Sequence, residues 1–318
     1  MRLGLVGVGA WGRRYADTIS KRTDCRLVAV ARASSRPGER IFGLPVSSDW
    51  HELIELQKRA ELDGLIVAST PENQAEVVAA AIESGAPILA EKPLGFTQAV
   101  SERLLSLWTV SERRAPVLVN FVHLWAPAFV ALQRLVRASG GSSAIRRITA
   151  QGCAAGPVRG WSTLYDYGPH DCAMLVRLLG SHGWHIVAAH RHDAVAAQTE
   201  LFDFELRVGT IAVALQLGNG SRAKKRRFAV ELTGGRVLVY DDTAPHPNKL
   251  TVDGTPIGIA TTLPLDAVIG DYLARIECWR SGSSIEALGE NELGFCCEVA
   301  GVLDALAAST LRCSCCSP

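Results

Sequence analysis

Up to about residue 120 the apolar residues fall in short, nearly unbroken runs, at positions 3–6, 26–31, 64–68, 87–90 and 116–121. Strands buried on both faces read this way. Between the runs lie helix-compatible stretches at 13–21, 52–60, 74–84 and 97–110; the alanine-rich third ends at Gly85, and Thr97 can cap the fourth. This alternation predicts a parallel sheet with helices on both faces. Past residue 120 the pattern changes. Helices are predicted at 127–138 and 169–179, and longer strands with alternating polarity at 146–151, 186–192, 199–208, 210–217, 227–233 and 236–240. Turns at Gly209, Gly218-Asn219-Gly220 and Gly234-Gly235 join several of these, which implies a largely antiparallel sheet. Two helices, 266–280 and 290–308, close the chain. The expected class is α/β: a doubly wound parallel sheet over residues 1–119, then an α+β domain over 120–318 with a largely antiparallel open sheet.

The first strand runs into Gly7, Gly9 and Gly12, spaced G-x-G-x-x-G, and a helix follows. Gly7 suits a tight turn, Gly9 lets backbone approach a pyrophosphate, and Gly12 lets the helix pack against the strand. With Ala10 and Trp11 they would hold a phosphate on a helix N-terminus, where N–H groups and the dipole favour anions. The first domain is therefore expected to be a Rossmann domain that binds a dinucleotide. At the end of the second strand, where an acid would bind the adenine ribose, stands Arg32, followed by Ser34, Ser35 and Arg36. Two guanidinium groups and two hydroxyls there suit a 2′-phosphate, so NADP(H) is favoured, with NAD(H) left open. Ser69-Thr70-Pro71 and Glu91-Lys92-Pro93 lie at later strand ends, where ligands of such sheets bind.

Composition narrows the picture further. A formal net charge of +1 over 318 residues exerts no global pull toward nucleic acid or acidic membranes. The apolar stretch 117–132 is broken by Asn120, His123 and Pro127, so it is not a clean bilayer span. The N-terminal apolar run breaks at glycines too early for a secretory signal, and a cytoplasmic location is expected. Nine cysteines in a chain of this size read mostly as reduced core thiols. The spacing Cys313-Ser314-Cys315-Cys316 matches no structural zinc pattern, and His190 and His192 have no evident third ligand, so no metal is expected. The basic run 224–227 lies between two expected strands and reads as a solvated hairpin or charged sheet edge.

With the glycine motif, Ser69-Thr70-Pro71, Glu91-Lys92-Pro93 and Asp166-Tyr167-Gly168-Pro169-His170 in this order, the chain resembles the glucose–fructose oxidoreductase, inositol dehydrogenase and rhizopine-catabolism (Gfo/Idh/MocA) family over nearly its whole length. The resemblance implies hydride transfer between a nicotinamide and a hydroxyl-bearing carbon of a sugar, cyclitol or nucleotide sugar. It also implies a homodimer or homotetramer formed through the C-terminal sheet. Lys92, Asp166 and His170 then face the nicotinamide: His170 as general acid/base, Lys92 on the reacting oxygen, and Asp166 orienting the imidazole or a substrate hydroxyl. Glu91 belongs with the cofactor-binding set. Pro169 suits a first helical turn, placing His170 at a helix start. His123, Trp161 and Tyr165 are candidate substrate residues. Gln74 stands where many relatives have histidine, so the cleft is expected to differ from that of a standard sugar dehydrogenase. A dinucleotide-binding sensor without turnover, a C=N reductase and a redox-assisted lyase remain alternatives.

Overall fold

The computed structural model describes residues 1–156, 160–192, 199–282 and 292–313; the Cys315-Cys316 pair of the tail lies outside the described residues. The chain forms two compact units, Met1–Asn120 with Leu265–Cys297, and Phe121–Pro264 with Glu298–Pro318.

In the first unit β1 (Arg2–Val6), β2 (Arg26–Ala31), β3 (Arg40–Ile41), β4 (Leu44–Ser47), β5 (Gly64–Val67), β6 (Ile88–Glu91) and β7 (Val117–Asn120) form a sheet in the order β3-β4-β2-β1-β5-β6-β7. All its pairings are parallel except β3–β4. Helices α1 (Ala10–Ser20), α2 (His51–Lys58), α3 (Pro71–Glu83) and α4 (Gln98–Val110) connect the strands. Leu3, Leu5, Leu65, Ile66, Val67, Ile88 and Leu89 have no more than a trace of exposed surface, as strands covered on both faces require. The chain leaves β1 toward β2 and returns on the other side to β5. The crevice beyond the strand ends at β1 and β5 is therefore the topological switch point where such sheets bind ligands.

In the second unit α5 (Pro127–Ala138) follows a short 3₁₀ turn at Val122–Trp125. Then come β8 (Ile145–Ala155), α6 (Leu164–Leu179), β9 (Trp184–Arg191), β10 (Leu201–Val208), β11 (Ile211–Gly218), β12 (Gly220–Leu232), β13 (Val237–Asp241), β14 (Leu250–Val252) and β15 (Thr255–Pro256). The sheet order is β15-β14-β13-β12-β8-β11-β10-β9, antiparallel throughout except β8–β11. One face buries Ile148, Ala150, Phe204, Leu206, Leu215, Phe228 and Val230, and α6 packs along β8 and β11 on the covered side.

Three expectations change. The second domain is not continuous over 120–318, because α7 (Pro264–Arg280) and the start of α8 (Glu292–Cys313) pack with the first unit. The Tyr272 hydroxyl donates to the Leu65 and Pro87 carbonyls, Arg280 pairs with Asp63 at 2.7 Å, and Arg22 pairs with Asp266. Helix α6 begins at Leu164 rather than near Pro169, because the Glu200 carboxylate accepts the Ser162 hydroxyl (2.8 Å) and the Thr163 N–H (2.7 Å) at its N-terminus. Pro169 thus sits inside the helix, where it withholds the N–H that the Tyr165 carbonyl would receive. The basic run 224–227 lies inside β12 and not in a hairpin: Lys224 and Lys225 are exposed, Arg226 is buried, and Arg227 pairs with both β8 and β13. Helix α8 is long and apolar enough to cross a membrane by length and composition alone, but Leu293, Phe295, Val299, Val302, Leu303 and Leu306 are buried, as in a core helix. Cys25, Cys153, Cys172, Cys296 and Cys297 are buried free thiols, and Cys278 is a half-buried one.

Burial alone would raise the Asp63 carboxyl, but hydrogen bonds from the Arg2 N–H and from Arg280 outweigh it and hold the group at about 2. A carboxyl depressed in this way stabilises the fold above its ordinary value of 3.8, and the contribution fades as pH falls toward about 2. Asp63→Asn is expected to lower the thermal midpoint by about 2–6 °C at neutral pH. The gap to the parent closes through that acid window in a pH series of melts; a gap that stays constant with pH contradicts the assignment.

Candidate functional site

Gly7 closes β1 with φ +93°, and its N–H donates to the Ala31 carbonyl at 2.9 Å. A Cβ on Gly7 would strike the Ala68 carbonyl and the Ser69 nitrogen, and one on Gly12 would strike the Gly7 carbonyl. A Cβ on Gly9, by contrast, would meet nothing within 4 Å. The turn is thus packed shut toward β5 and open at Gly9, which is the N-cap of α1 and has no side-chain cap. The first N–H groups of α1, from exposed Ala10 and half-buried Trp11 onward, need outside acceptors. Beside the turn, the buried Ser69 hydroxyl makes no hydrogen bond among the described residues. Thr70 and Pro71 follow as N-cap and first residue of α3. An anion-seeking helix end, an open glycine and an orphaned hydroxyl at a switch point fit a dinucleotide pyrophosphate.

Arg32 leaves the end of β2, its N–H bonded to the Ser47 carbonyl of β4 at 2.9 Å. Its guanidinium is not open: Nη2 donates to both carboxylate oxygens of Glu39, at 2.7 and 2.6 Å. The Arg36 N–H donates to the same carboxylate at 3.0 Å. That backbone bond, followed by the two arginine charges, holds the Glu39 carboxyl below its usual range. The Arg36 side chain and Ser34 are exposed, and Ser35 is half-buried.

Glu91 ends β6 and is 4% exposed, so its carboxylate turns into the core and not toward a cofactor as expected. Oε1 accepts the Tyr15 hydroxyl of α1 at 2.8 Å and the Asn120 amide of β7 at 2.6 Å, and Asn120 also donates to the Tyr15 oxygen at 2.8 Å. Burial pushes both Glu91 and Tyr15 up. Gln74, buried on α3, donates to the Glu91 carbonyl and, at 3.0 Å, to the Pro93 carbonyl. Its role is therefore to brace the backbone on either side of Lys92, across the cis Lys92–Pro93 peptide, and not to line a cleft. Lys92 itself is 8% exposed.

The remaining expected residues lie in the second unit. On α6, Asp166 stands in the first turn and His170 one turn later on the same face. His170 is buried, and its ring meets the His123 ring edge-on at 4.9 Å between centroids. His123 Nδ1 lies 2.7 Å from the hydroxyl of buried Tyr240, whose ionisation burial pushes well up, so the phenol stays neutral. Next to His170, fully buried Asp171 pairs with Arg226 of β12. Burial pushes the Asp171 carboxyl up, and Arg226 pulls it back toward the charged form. The pair fits because β8 carries Gly152 there; a Cβ at that position would strike Asp171 and Arg226. Trp161 and Tyr165 are half-exposed before and within the first turn of α6, and burial followed by the charge of Asp304 raises Tyr165. Among the described residues no group of three or more His, Cys, Asp or Glu could hold a metal; His192 instead pairs with Asp203 at 2.6 Å.

Sequence reading missed Tyr15, Glu39, Asn120, Asp171, Arg226 and Tyr240. Two left a trace: Asn120 is a polar residue ending an apolar strand, and Arg226 is the inward-alternating member of the run at 224–227. If Glu91 organises the strand end, Glu91→Ala should cost about 3 kcal/mol by leaving the Tyr15 hydroxyl buried without an acceptor and Asn120 with the Tyr15 oxygen alone. Glu91→Gln should cost under about 1.5 kcal/mol, because it keeps one. Denaturant titrations measure both, and equal losses would contradict the network.

Residues 1–121 match an oxidoreductase family with an NAD-binding Rossmann fold. An inositol 2-dehydrogenase from Rhizobium meliloti (strain 1021) is 26% identical over 229 residues, 70% of this chain and 67% of that relative; several further inositol 2-dehydrogenases are matched over about two fifths of their length. A candidate oxidoreductase from Magnetospirillum magnetotacticum MS-1 superposes with a TM-score of 0.78 at 27% identity, covering 96% of this chain and 99% of that one. A 3-ketoreductase from Actinomadura kijaniata, solved with TDP-benzene and NADP, shares the fold at a TM-score of 0.75 and 19% identity over 97% of each chain. The match to the Gfo/Idh/MocA oxidoreductases thus covers the NAD-binding Rossmann domain at the N-terminus of the chain.

Proposed function

We propose that the protein is an NADP(H)-dependent oxidoreductase acting on a hydroxyl- or carbonyl-bearing carbon of a cyclitol, sugar or nucleotide sugar. The observation that carries this reading is the strand-end geometry of the first unit. The glycine turn of β1 and the braced Glu91-Lys92-Pro93 segment of β6 both lie at carboxyl ends of one parallel sheet. The inositol dehydrogenase relative supports the substrate class. The nicotinamide would supply or accept hydride. The helix end at Gly9 to Gly12, with Ser69 and Thr70, would hold the pyrophosphate, and Arg32 the adenosine 2′-phosphate.

Lys92 would donate a hydrogen bond to the reacting oxygen and stabilise its alkoxide character. His170 would take the hydroxyl proton in oxidation and return it in reduction, with Asp166 orienting its ring and His123 fixed beside it by Tyr240. The face of the second unit's sheet opposite α6 carries the half-buried small residues Thr149, Ala212, Ala214 and Ala229. It is the surface we propose for self-association as a homodimer or homotetramer.

Lys92→Ala should lower kcat by about 10²–10³-fold, while the dissociation constant for NADP⁺ stays within about twofold of the parent. Loss of binding together with turnover would make Lys92 a structural residue. Arg32→Asp should reverse the coenzyme preference in the ratio of NADP⁺ to NAD⁺ dissociation constants, and an unchanged ratio would remove Arg32 from the adenosine site.

A further inference from the structure

The Arg32–Glu39 pair is built into the loop rather than resting on a free surface. Arg32 is anchored to β4 through its N–H, the Ser35 N–H turns back on the Arg32 carbonyl at 2.9 Å, and the Glu39 N–H turns back on the Arg36 carbonyl at 3.0 Å. The Glu39 carbonyl in turn accepts the Val46 N–H at 3.1 Å. Two turns, each tied to β4, therefore deliver a carboxylate onto the arginine, and Arg36 adds a backbone N–H to it. A carboxylate held by a guanidinium and a main-chain N–H is bound much as a phosphate would be. Arg32 Nε, on the same guanidinium, is buried and makes no hydrogen bond among the described residues.

The position after β2 is the one that meets the adenosine 2′ substituent. A 2′-hydroxyl can donate to the Glu39 carboxylate and leave the Arg32–Glu39 pair intact. A 2′-phosphate needs the guanidinium that Glu39 holds, and brings a second anion beside that carboxylate. We propose that Glu39 is a specificity-determining residue: it competes with the adenosine 2′-phosphate for Arg32, and so narrows the preference for the phosphorylated coenzyme. This rests on the reading of Arg32 as the 2′-phosphate ligand. The arrangement differs from an acid at the strand end, because the repelling charge is itself the occupant of the phosphate donors.

Calorimetric titration of the parent, Glu39→Gln, Glu39→Ala and Arg32→Ala proteins with NADP⁺, NAD⁺ and adenosine 2′-monophosphate tests the assignment without any turnover. Both Glu39 variants should bind NADP⁺ and adenosine 2′-monophosphate about tenfold more tightly than the parent, with NAD⁺ affinity changed by less than about threefold. Thermal midpoints of the apoproteins check that each variant is folded, and two substitutions of different size guard against a packing artefact. If Arg32→Ala weakens NADP⁺ binding but neither Glu39 variant strengthens it, Glu39 merely positions Arg32; the competition is then refuted while the Arg32 reading stands. If Arg32→Ala leaves NADP⁺ and adenosine 2′-monophosphate unaffected, the Arg32 reading itself falls, and the role of Glu39 falls with it.

Discussion

A carboxylate shut inside a parallel sheet must be hydrogen-bonded or it destabilises the fold, and in Glu91 that demand ties together the parts of the first unit that matter. Its partners come from different elements: Tyr15 from the helix that follows the glycine turn, and Asn120 from the last strand. Gln74, from the helix that follows Ser69-Thr70-Pro71, fastens the adjoining main chain. One buried side chain thus registers the glycine turn and its helix against the strand end that carries Lys92. Catalysis by positioning requires such rigidity, because a displacement of about 1 Å at the reacting group can cost two orders of magnitude in rate.

The second unit solves a related problem with a full ion pair. His170 is buried beside Asp171, which would be intolerable without Arg226, and Gly152 on β8 leaves the space that the pair fills. The His123 ring meets the His170 ring edge-on and is itself held by the hydroxyl of neutral Tyr240. Each unit therefore places buried polar interactions drawn from several elements next to its proposed reactive group, a costly arrangement that a purely apolar core would avoid.

Much of the fold was legible in the chain. Unbroken apolar runs marked the parallel strands, the glycine spacing marked the first crossover, and alternating polarity marked the antiparallel sheet. What sequence concealed were interactions between distant residues. Nothing local says that residues 265–297 return to the first unit; the decisive bonds join Tyr272 to Leu65 and Arg280 to Asp63. The start of α6 was misplaced because proline is a strong local signal for a first turn, whereas the cap comes from Glu200, far along the chain. Arg32 was read from its charge and its place at the strand end, and its carboxylate partner lies seven residues on, within a loop whose turns are not evident from composition. Gln74 was read as bearing on the cleft because many relatives have histidine there, yet its side chain bends back onto the backbone around Lys92.

On the proposed reading, the first unit presents Lys92 to a dinucleotide held by the N-terminus of α1. A crystal structure of the protein with NADP⁺ bound tests it most directly. The pyrophosphate is expected against the N–H groups of Ala10 to Gly12 and the nicotinamide ring beside the Lys92 ammonium. A coenzyme seated elsewhere, or a nicotinamide separated from Lys92 by packed side chains, would contradict it.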